Sequence, residues 1–449
     1  MEKRLVWGCI ADDFTGASDA ASFFVKGGAQ TILYNGVPKE ALCDGDCQAI
    51  VIALKTRTME ASAAREETLQ AARWLRQQGA AQLYIKYCST FDSTPEGNIG
   101  PVLDALLEEY QIPYTILCPA LPVNGRVVRQ GHLYVNGVPL HESPMKNHPL
   151  TPMWDSSIAG LMRPQSKYPC MNVTKEQYAM PRERVLADIR AFGEASGHFY
   201  VIPDYETEED ARAIADLFGS LPVLSGGSGI LMELARSVGR EPARQGDVMP
   251  GCAVSEYAVP GSVVPECAVQ NYAGGSGKTE GPAIMLAGSC SEMTRKQIAY
   301  AEEHGVVSMK IQPLELLKGE QTLEILWDFV KEHGGETVLL YSSDAPEQVR
   351  QVQETGKMQV AELLEQTIAS LAKRAVEAGY TRIIVAGGET SGAVTRALDF
   401  DSFIIGESVA PGVPVMIPRK RQSMRLVLKS GNFGQEDFFL KALEFTGII

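Results

Sequence analysis

The sequence has no long hydrophobic run. No segment approaches the roughly 18–20 consecutive apolar residues of a membrane-spanning helix. The opening residues, MEKRLVWGCIADD, hold an apolar run too short for a secretory signal. We therefore expect a cytoplasmic protein with no membrane contact.

Metal-binding patterns are also missing. The chain has nine cysteines without a single C-x-x-C pair, and its six histidines lack the spacing of metal ligands. No cysteine lies in a recognisable nucleophile motif. We therefore expect reduced thiols, as is usual in the cytosol, no structural zinc site or other metal site built from cysteines and histidines, and no catalytic cysteine.

Positive charge is in deficit. Lys and Arg number 41 against 55 Asp and Glu, a net charge of −14. A chain this acidic repels phosphate overall, so we expect no nucleic-acid partner, although a local pocket could still bind a small anion.

With 45% hydrophobic and 21% charged residues, the composition is that of a globular protein, and 449 residues correspond to two or three domains.

Short apolar runs alternate with helix-like segments along two parts of the chain. Most of these runs are continuously apolar, which is typical of parallel strands covered on both faces. The pattern predicts an α/β protein with two domains, each an open, mostly parallel sheet flanked by helices, and an active site in the cleft between them. We expect an N-terminal domain over 1–240, a Gly/Pro/Ser-rich linker or flap over 241–282, and a C-terminal domain over 283–449. The predicted strands are Leu5–Ala11, Thr31–Tyr34, Ala49–Leu54, Gln82–Tyr87, Tyr114–Cys118, Phe199–Ile202, Ala283–Ala287, Val306–Ile311, Thr337–Tyr341, Arg382–Ala386, Val413–Ile417 and Arg425–Lys429.

Two carboxylates end the first predicted strand. Asp12 and Asp13 are followed by Thr15-Gly16 at the start of a helix. Ligands of open α/β sheets bind at the carboxyl ends of the strands, so these acids could accept a proton or hold a cation. A purely structural role, with Asp12 in the turn and Thr15 as the helix N-cap, is about equally compatible with the pattern.

A polar segment, KYCSTFDSTPEGNIG, follows the fourth predicted strand. It places Lys86, Asp92, Ser93 and Thr94 near glycines and further hydroxyls. Such donors and acceptors suit a polyhydroxylated acid. A plain Ser/Thr turn with Asn98 as a helix cap is the alternative.

Glycines and hydroxyls follow three strands of the C-terminal domain. One turn contains Ser289, the second is Gly387-Gly388-Glu389-Thr390-Ser391, and the third surrounds Gly431. Free backbone N–H groups at a helix start favour phosphate. The alternative for the second turn is a glycine turn in which Thr390 or Ser391 is the N-cap. Three such strand ends together indicate a nucleotide site.

A segment resembling a Walker A loop, GGSGKT at 274–279, fails on its spacing. The pattern requires a glycine at position 272, where the residue is Tyr272, and the following Glu280-Gly281-Pro282 cannot start the required helix. We therefore expect Lys278 to lie outside the phosphate site.

Together these segments resemble the four-carbon acid sugar kinase family over nearly the whole chain. The resemblance rests on ADDFTGA at Ala11–Ala17, on GGETS at Gly387–Ser391 and on SGNFG at Ser430–Gly434. Tyr87–Pro101 and Cys118–Met153 are similar to the family's branch that acts on 3-oxo-tetronate. The resemblance implies ATP with Mg2+, and a small sugar acid as the other substrate. It places the nucleotide contacts at Ser289, Gly387, Gly388, Glu389, Thr390 and Gly431, and the acid contacts at Lys86, Asp92, Ser93, Thr94 and the two aspartates.

The implied reaction is phosphoryl transfer from MgATP to the terminal hydroxyl of a four-carbon 3-oxo acid. Asp13 is the first choice for the base that takes the hydroxyl proton, with Asp12 as the alternative. D-threonate or D-erythronate are alternative substrates, and a catalytically silent ligand-binding protein is a more distant alternative. A homo-oligomer is compatible with the sequence.

Overall fold

The computed structural model describes residues 5–39, 47–147, 151–236, 278–342 and 346–448, with the backbone alone for 346–359. The chain forms two compact units, Met1–Val269 and Gln270–Ile449. The predicted linker at 241–282 lies outside the described residues, apart from its last five positions. No described helix is both long enough and apolar enough to cross a membrane.

The first unit alternates strands and helices, as the sequence predicts. Its strands are β1 Trp7–Ala11, β2 Thr31–Asn35, β3 Ala49–Ala53, β4 Gln82–Lys86, β5 Tyr114–Ile116, β6 Arg126–Arg129, β7 His132–Val135, β8 Val138–Pro139, β9 Cys170–Val173, β10 Phe199–Pro203 and β11 Val223–Gly226. Its α-helices are α1 Phe14–Lys26, α2 Ala61–Gln77, α3 Ile99–Glu109, α4 Ile158–Met162, α5 Arg182–Ser196, α6 Glu208–Phe218 and α7 Leu231–Arg236. Short 3₁₀ helices cover Pro122–Asn124, Leu140–Glu142, Pro144–Asn147 and Lys175–Ala179.

Three sheets organise this unit. The main sheet has the strand order β11-β4-β1-β3-β2, with every pair parallel. A second parallel sheet has the order β5-β10-β9, and an antiparallel sheet has the order β6-β7-β8. The Asn136-Gly137 pair between apolar residues predicts a tight hairpin, and this is confirmed, since both residues have positive φ, 50° and 81°, between β7 and β8.

The second unit is built in the same way. Its strands are β12 Ala283–Ala287, β13 Val307–Lys310, β14 Val338–Tyr341, β15 Arg382–Ala386, β16 Ser402–Ala410, β17 Val413–Pro418 and β18 Arg425–Lys429. Its helices are α8 Glu292–Glu303, α9 Pro313–Lys318, α10 Leu323–Glu332, α11 Pro346–Glu377, α12 Gly388–Ala397 and α13 Phe438–Thr446. The strand order is β16-β17-β18-β15-β12-β14-β13, parallel from β18 to β13 and antiparallel over β16, β17 and β18.

Continuous apolar burial explains the parallel sheets. Every residue of β1, β3, β12 and β18 is buried, because helices cover both faces. In the second unit, Phe438 and Phe439 of α13 are buried in the same cluster as Met285 of β12 and Ile384 of β15. Each such side chain stabilises the fold by roughly 1.5–3 kcal/mol relative to an exposed position.

The predicted α/β fold with mostly parallel sheets is confirmed, with a few differences in its elements. The predictions contain no strand at β6, β9, β11 or β16. The apolar pattern predicts two helices, Pro346–Glu354 and Val360–Glu377, but this segment is the single helix α11.

Candidate active site

The two adjacent aspartates lie at the carboxyl edge of the main sheet in the first unit. Parallel pairing aligns Ala11 of β1 with Ala53 of β3 and with Lys86 of β4. The residues that follow these strands therefore meet at one edge. The backbone N–H of Asp12 donates to the carbonyl of Lys86 at 3.1 Å, which fixes the first turn after β1.

Arg57 joins the two aspartates. Its Nε and Nη2 donate to the two carboxylate oxygens of Asp12 at 2.9 and 2.8 Å, and Nη2 also donates to Oδ1 of Asp13 at 2.8 Å. The bidentate pairing with Asp12 is the strong geometry of arginine and carboxylate. The side chains of Asp12 and Asp13 are 15% and 29% exposed, so a ligand reaches Asp13 more readily.

Asp13 also caps the following helix. Its Oδ1 accepts the N–H of Gly16 at 2.8 Å and its Oδ2 accepts the hydroxyl of Thr15 at 2.7 Å. The expectation of Thr15 as N-cap is therefore wrong, because α1 begins at Phe14 and Asp13 occupies the cap. A Cβ at Gly16 would lie 2.4 Å from Oδ1 of Asp13, so a larger residue at this position would displace the Asp13 carboxylate.

The environments of the two carboxylates differ. Burial raises the pKa of Asp12, although the charge of Arg57 opposes this. Burial would also raise the pKa of Asp13, but the charges of Arg57 and Lys86 and the hydrogen bonds of Thr15 and Gly16 hold the pKa below its usual value. Asp13 therefore favours the ionised form more strongly than Asp12, and its hydrogen bonds fix it in one orientation.

Lys86 is buried behind this pair. Its Nζ donates to the carbonyl of Tyr87 at 3.0 Å and lies 3.8 Å from Oδ2 of Asp19. Burial raises the pKa of Asp19 to about 6, although the charge of Lys86 lowers it. A Cβ at Gly16 would lie 3.2 Å from Nζ, which places the ammonium close to Asp13. The lysine therefore supplies positive charge at the edge where the aspartates lie.

The polar segment after β4 brings Asp92 into the interior. Asp92 is 9% exposed and accepts the hydroxyl of Thr90 at 2.6 Å. Between them, Phe91 is buried with φ of 53°, a conformation that costs energy in a non-glycine residue and often marks a functional segment. Ser93 donates to Oε1 of Gln165 at 3.2 Å, while Thr94 is half-buried.

Asn98 holds the end of this segment. It occupies the N-cap position of α3 without a side-chain capping bond. Its amide donates instead to the carbonyls of Thr56 and Met59, at 2.6 and 3.0 Å, beside Arg57. The segment is therefore tied to the loop that carries Arg57.

In the second unit, three turns with glycine and hydroxyl residues follow neighbouring strands. The strands β18, β15 and β12 are adjacent and parallel, so their carboxyl ends share one edge. A Cβ at Gly387 would lie 2.8 Å from Oγ1 of Thr390, and one at Gly431 would lie 2.6 Å from Oγ of Ser289. The structure thus brings together the predicted residues Ser289, Gly387, Thr390 and Gly431.

The start of α12 lies open at this edge. The helix begins at Gly388, and Gly387 is its N-cap with φ of 135° and no side-chain capping bond. The alternative of Thr390 or Ser391 as N-cap is therefore wrong. A Cβ at Gly388 would meet nothing within 4 Å, and Glu389 is exposed. An uncapped helix start with open space in front of it can accept an anion.

Lys429 holds the third turn through hydrogen bonds to its backbone, and it was not among the site residues selected from the sequence. Its side chain is fully buried, and Nζ donates to the carbonyl of Gly431 at 2.7 Å and to Oγ1 of Thr294 at 3.0 Å. Ser291 donates to the same carbonyl at 2.7 Å. Burial lowers the pKa of Lys429 from its usual 10.5 to about 7. The lysine and these hydroxyls fix the position of Gly431.

Lys278 lies at the opposite edge of this sheet. Its carbonyl accepts from Nη2 of Arg425, which is at the amino end of β18, and Thr279 pairs with Gly447. Strand β18 spans four residue steps, about 13 Å, between that edge and the glycine turns. Residues 274–277 lie outside the described residues.

Arg57, Asp19 and Gln165 were not among the candidates selected from the sequence. Only Arg57 has a signal that could have identified it, because it follows the buried strand β3 within a few residues, as other site residues follow their strands. Within the described ranges, no group of three or more His, Cys, Asp or Glu is placed to hold a metal ion.

Known protein families match both units of the chain. The family described as a sugar-binding N-terminal domain matches residues 7–234, and the family described as a nucleotide-binding C-terminal domain matches residues 284–439. Proteins named 3-oxo-tetronate kinase are similar over nearly the full length. The one from Pseudomonas savastanoi is 39% identical over 98% of this chain and 97% of the relative. The one from Burkholderia multivorans is 40% identical, with the same shares covered.

Solved structures agree on the fold. A crystal structure from Salmonella typhimurium, described provisionally as a tRNA synthase, has a TM-score of 0.81 and 35% identity, covering 97% of this chain and 98% of that one. A crystal structure from Haemophilus influenzae has a TM-score of 0.74 and 36% identity, covering 97% and 99%. On these matches, the chain belongs to the four-carbon acid sugar kinase family, together with curated relatives named 3-oxo-tetronate kinase.

Proposed function

We propose that this protein is a kinase that transfers the terminal phosphoryl group of ATP to the C4 hydroxyl of a four-carbon 3-oxo acid, giving the 4-phosphate in sugar acid catabolism. The observation that carries this proposal is the similarity of 39–40% over almost the full chain to relatives named 3-oxo-tetronate kinase. A net charge of −14 disfavours a tRNA substrate. The composition is also compatible with a cytoplasmic enzyme.

ATP is assigned to the second unit. The uncapped start of α12 and the open space beside Gly388 suit phosphate oxygens, because backbone N–H groups and the helix dipole point toward the same place. Ser289, Gly387, Glu389, Thr390 and Gly431 complete this proposed site. Mg2+ arrives as part of MgATP, since it commonly binds through substrate phosphates and one or two carboxylates.

The acid is assigned to the first unit. Asp92 provides a buried carboxylate that can accept hydroxyl protons in hydrogen bonds, and Thr94 adds a half-buried hydroxyl. Ser93 lies in the same segment, where its hydroxyl donates to Oε1 of Gln165. Lys86 supplies positive charge near the reacting hydroxyl.

Asp13 is the proposed base. Arg57, Thr15 and Gly16 hold its carboxylate in one orientation, and it is the more exposed of the two aspartates. It accepts the proton of the C4 hydroxyl as the oxygen attacks the γ-phosphorus, and ADP leaves. Asp12 positions Arg57 through the bidentate pair. Most of the acceleration in such reactions comes from positioning and charge stabilisation.

A substrate panel tests this function. The purified protein is incubated with ATP labelled at the γ-phosphate and with 3-oxo-tetronates of both configurations, D-threonate, D-erythronate, or no acid. We expect label in a tetronate 4-phosphate, with the highest kcat/KM for a 3-oxo acid. A higher kcat/KM for D-threonate or D-erythronate would make that acid, rather than a 3-oxo acid, the assigned substrate. No transfer to any acid would refute the kinase assignment.

A further inference from the structure

Three cationic side chains lie near the carboxyl edge of the first unit, and two of them have acidic partners. Arg57 is paired with Asp12 and Asp13, and Lys86 lies 3.8 Å from Asp19. Arg126 is the third. Among the described residues, no carboxylate lies within ion-pair distance of Arg126, so its positive charge is uncompensated by direct contact.

The loop that carries Arg126 is held against this edge. After β5, Cys118 pairs with Gly226 at the end of β11, and its carbonyl accepts the N–H of Gly227 at 3.0 Å. A Cβ at Gly227 would lie 2.4 Å from the carbonyl oxygen of Pro119 and 3.5 Å from Cβ of Ser89, which follows β4. The chain then turns through Pro122–Asn124 into β6, of which Arg126 is the first residue.

The guanidinium is only partly satisfied. Nη1 donates to the carbonyl of Asn124, and Nε is buried without a hydrogen-bond partner. Burial lowers the pKa of Arg126, although the nearby carboxylates of Asp92 and Asp19 oppose this. A half-buried cation with an unused donor is costly, and an anionic ligand relieves that cost.

The geometry points to Arg126 as the group that binds the carboxylate of the acid substrate, an inference that rests on the proposed function. The planar guanidinium matches a carboxylate with two parallel hydrogen bonds, which gives orientation as well as affinity. Holding the C1 carboxylate at Arg126 selects an acid over a neutral sugar of the same length. It also leaves Asp92 to accept the hydroxyls between the two ends.

The test compares the acid with a neutral analogue in matched variants. The analogue is the four-carbon ketose in which a hydroxymethyl group replaces the carboxylate, leaving the terminal hydroxyl unchanged. Arg126→Gln should raise the KM for the 3-oxo acid by roughly 10- to 100-fold, the scale of losing a hydrogen-bonded charge pair. The KM for ATP and the kcat/KM for the ketose should stay unchanged. Arg126→Lys should fall between the wild type and Arg126→Gln.

Arg129→Gln is the matched control. Arg129 lies on the same strand, but it is exposed and paired with Glu206. It should keep the wild-type KM for the acid. Calorimetric titration of each variant with the acid alone gives a second measurement, with binding weakened in Arg126→Gln and retained in Arg129→Gln.

Each outcome decides between the two proposals. A wild type that phosphorylates no four-carbon acid refutes the proposed function and this inference with it. A wild type active on the acid, with Arg126→Gln unchanged or equally impaired on acid and ketose, overturns the role of Arg126 alone. Unfolding midpoints of all variants identify any general loss of structure.

Discussion

The carboxyl edges of the two sheets differ in chemistry although both units have the same alternation of strands and helices. In the first unit, charged side chains gather at the edge, with Asp12, Asp13 and Arg57 in direct contact. In the second unit, glycines and hydroxyls gather there, and the start of α12 has no side-chain cap. One edge offers carboxylates that can accept a proton, and the other offers backbone N–H groups that can bind an anion.

Cations are also used differently in the two units. Arg57 is partly exposed and makes ion pairs with two aspartates. Lys429 is fully buried and donates hydrogen bonds to the carbonyl of Gly431 and the hydroxyl of Thr294. Two sheets with the same alternation of strands and helices can therefore present different groups at their carboxyl edges, charged side chains in one unit and backbone N–H groups in the other.

The comparison is tested most severely at Asp13. Asp13→Asn keeps the size and remains a good N-cap, but it removes the charge that accepts a proton. We expect kcat to fall by roughly 10²–10⁴, with the KM for ATP nearly unchanged. Steady-state kinetics with either substrate varied measures both quantities.

Asp12→Asn is the companion variant. Loss of the bidentate partner of Arg57 should also reduce kcat, and a Mg2+ titration separates a metal role, which would raise the Mg2+ requirement, from a positioning role. Near-normal turnover in Asp13→Asn beside an inactive Asp12→Asn would assign the base to Asp12.

Gly388 tests backbone recognition in the second unit. Its added side chain would point into open space, so Gly388→Val should leave the fold intact and obstruct the phosphates. We expect the KM for ATP to rise about tenfold or more, equivalent to about 1.4 kcal/mol, with the KM for the acid unchanged. Equilibrium binding of a non-hydrolysable ATP analogue measures the same effect directly.

The control for this variant lies one turn further along α12. A side chain at Gly392 would meet only Nη1 of Arg396, at 3.3 Å, so Gly392→Val should retain ATP affinity. Gly431 is a poorer test, because its Cβ would collide with Ser289 at 2.6 Å in the absence of any nucleotide. Unchanged ATP affinity in Gly388→Val would place the nucleotide elsewhere.

Lys429 predicts a pH dependence of stability. Burial lowers its pKa to about 7 from the usual 10.5, so between these values the unfolded chain binds one more proton than the folded chain. The free energy of unfolding should therefore increase as pH rises from 7, by up to about 1.4 kcal/mol per pH unit.

Lys429→Met isolates this contribution. Denaturant unfolding of the wild type and the variant is measured at several values over roughly pH 7.0–8.5, so that cysteine ionisation contributes little. The difference between the two slopes of unfolding free energy against pH is the contribution of Lys429. We expect the wild type to gain stability relative to the variant across this range. Parallel pH profiles would mean that the buried ammonium stays charged, held by its carbonyl and hydroxyl acceptors.

The smallest effect is expected at Lys278. Because it lies at the amino edge, away from the glycine turns, Lys278→Ala should keep kcat and the KM for ATP within a few-fold. A loss of about a thousandfold, the scale of removing a key charge stabiliser, would contradict this placement. The same kinetic assay as for Gly388→Val measures it.

Local sequence was sufficient wherever one segment contained the whole signal. The strands Ala283–Ala287, Arg382–Ala386 and Arg425–Lys429 have the predicted bounds, because continuous apolar runs between turn residues define buried parallel strands. The Asn136-Gly137 hairpin is equally local. Strand β16, by contrast, lacks a continuous apolar run, because buried residues alternate with more exposed ones along it. Its register with β17 also shifts, and no local sequence pattern predicts that shift.

By itself, the sequence determined the α/β class and the strand ends at which polar residues collect, because apolar periodicity and turn residues act over a few neighbours. It also determined the candidates Asp12, Asp13 and Gly387, which directly follow strands. Only the tertiary structure decided which charges meet. Arg57 reaches the aspartates from 44 and 45 positions away, and Arg126 reaches the same edge through a separate hairpin. Strand order and register fix such contacts, and they depend on the packing of the whole unit rather than on any one segment.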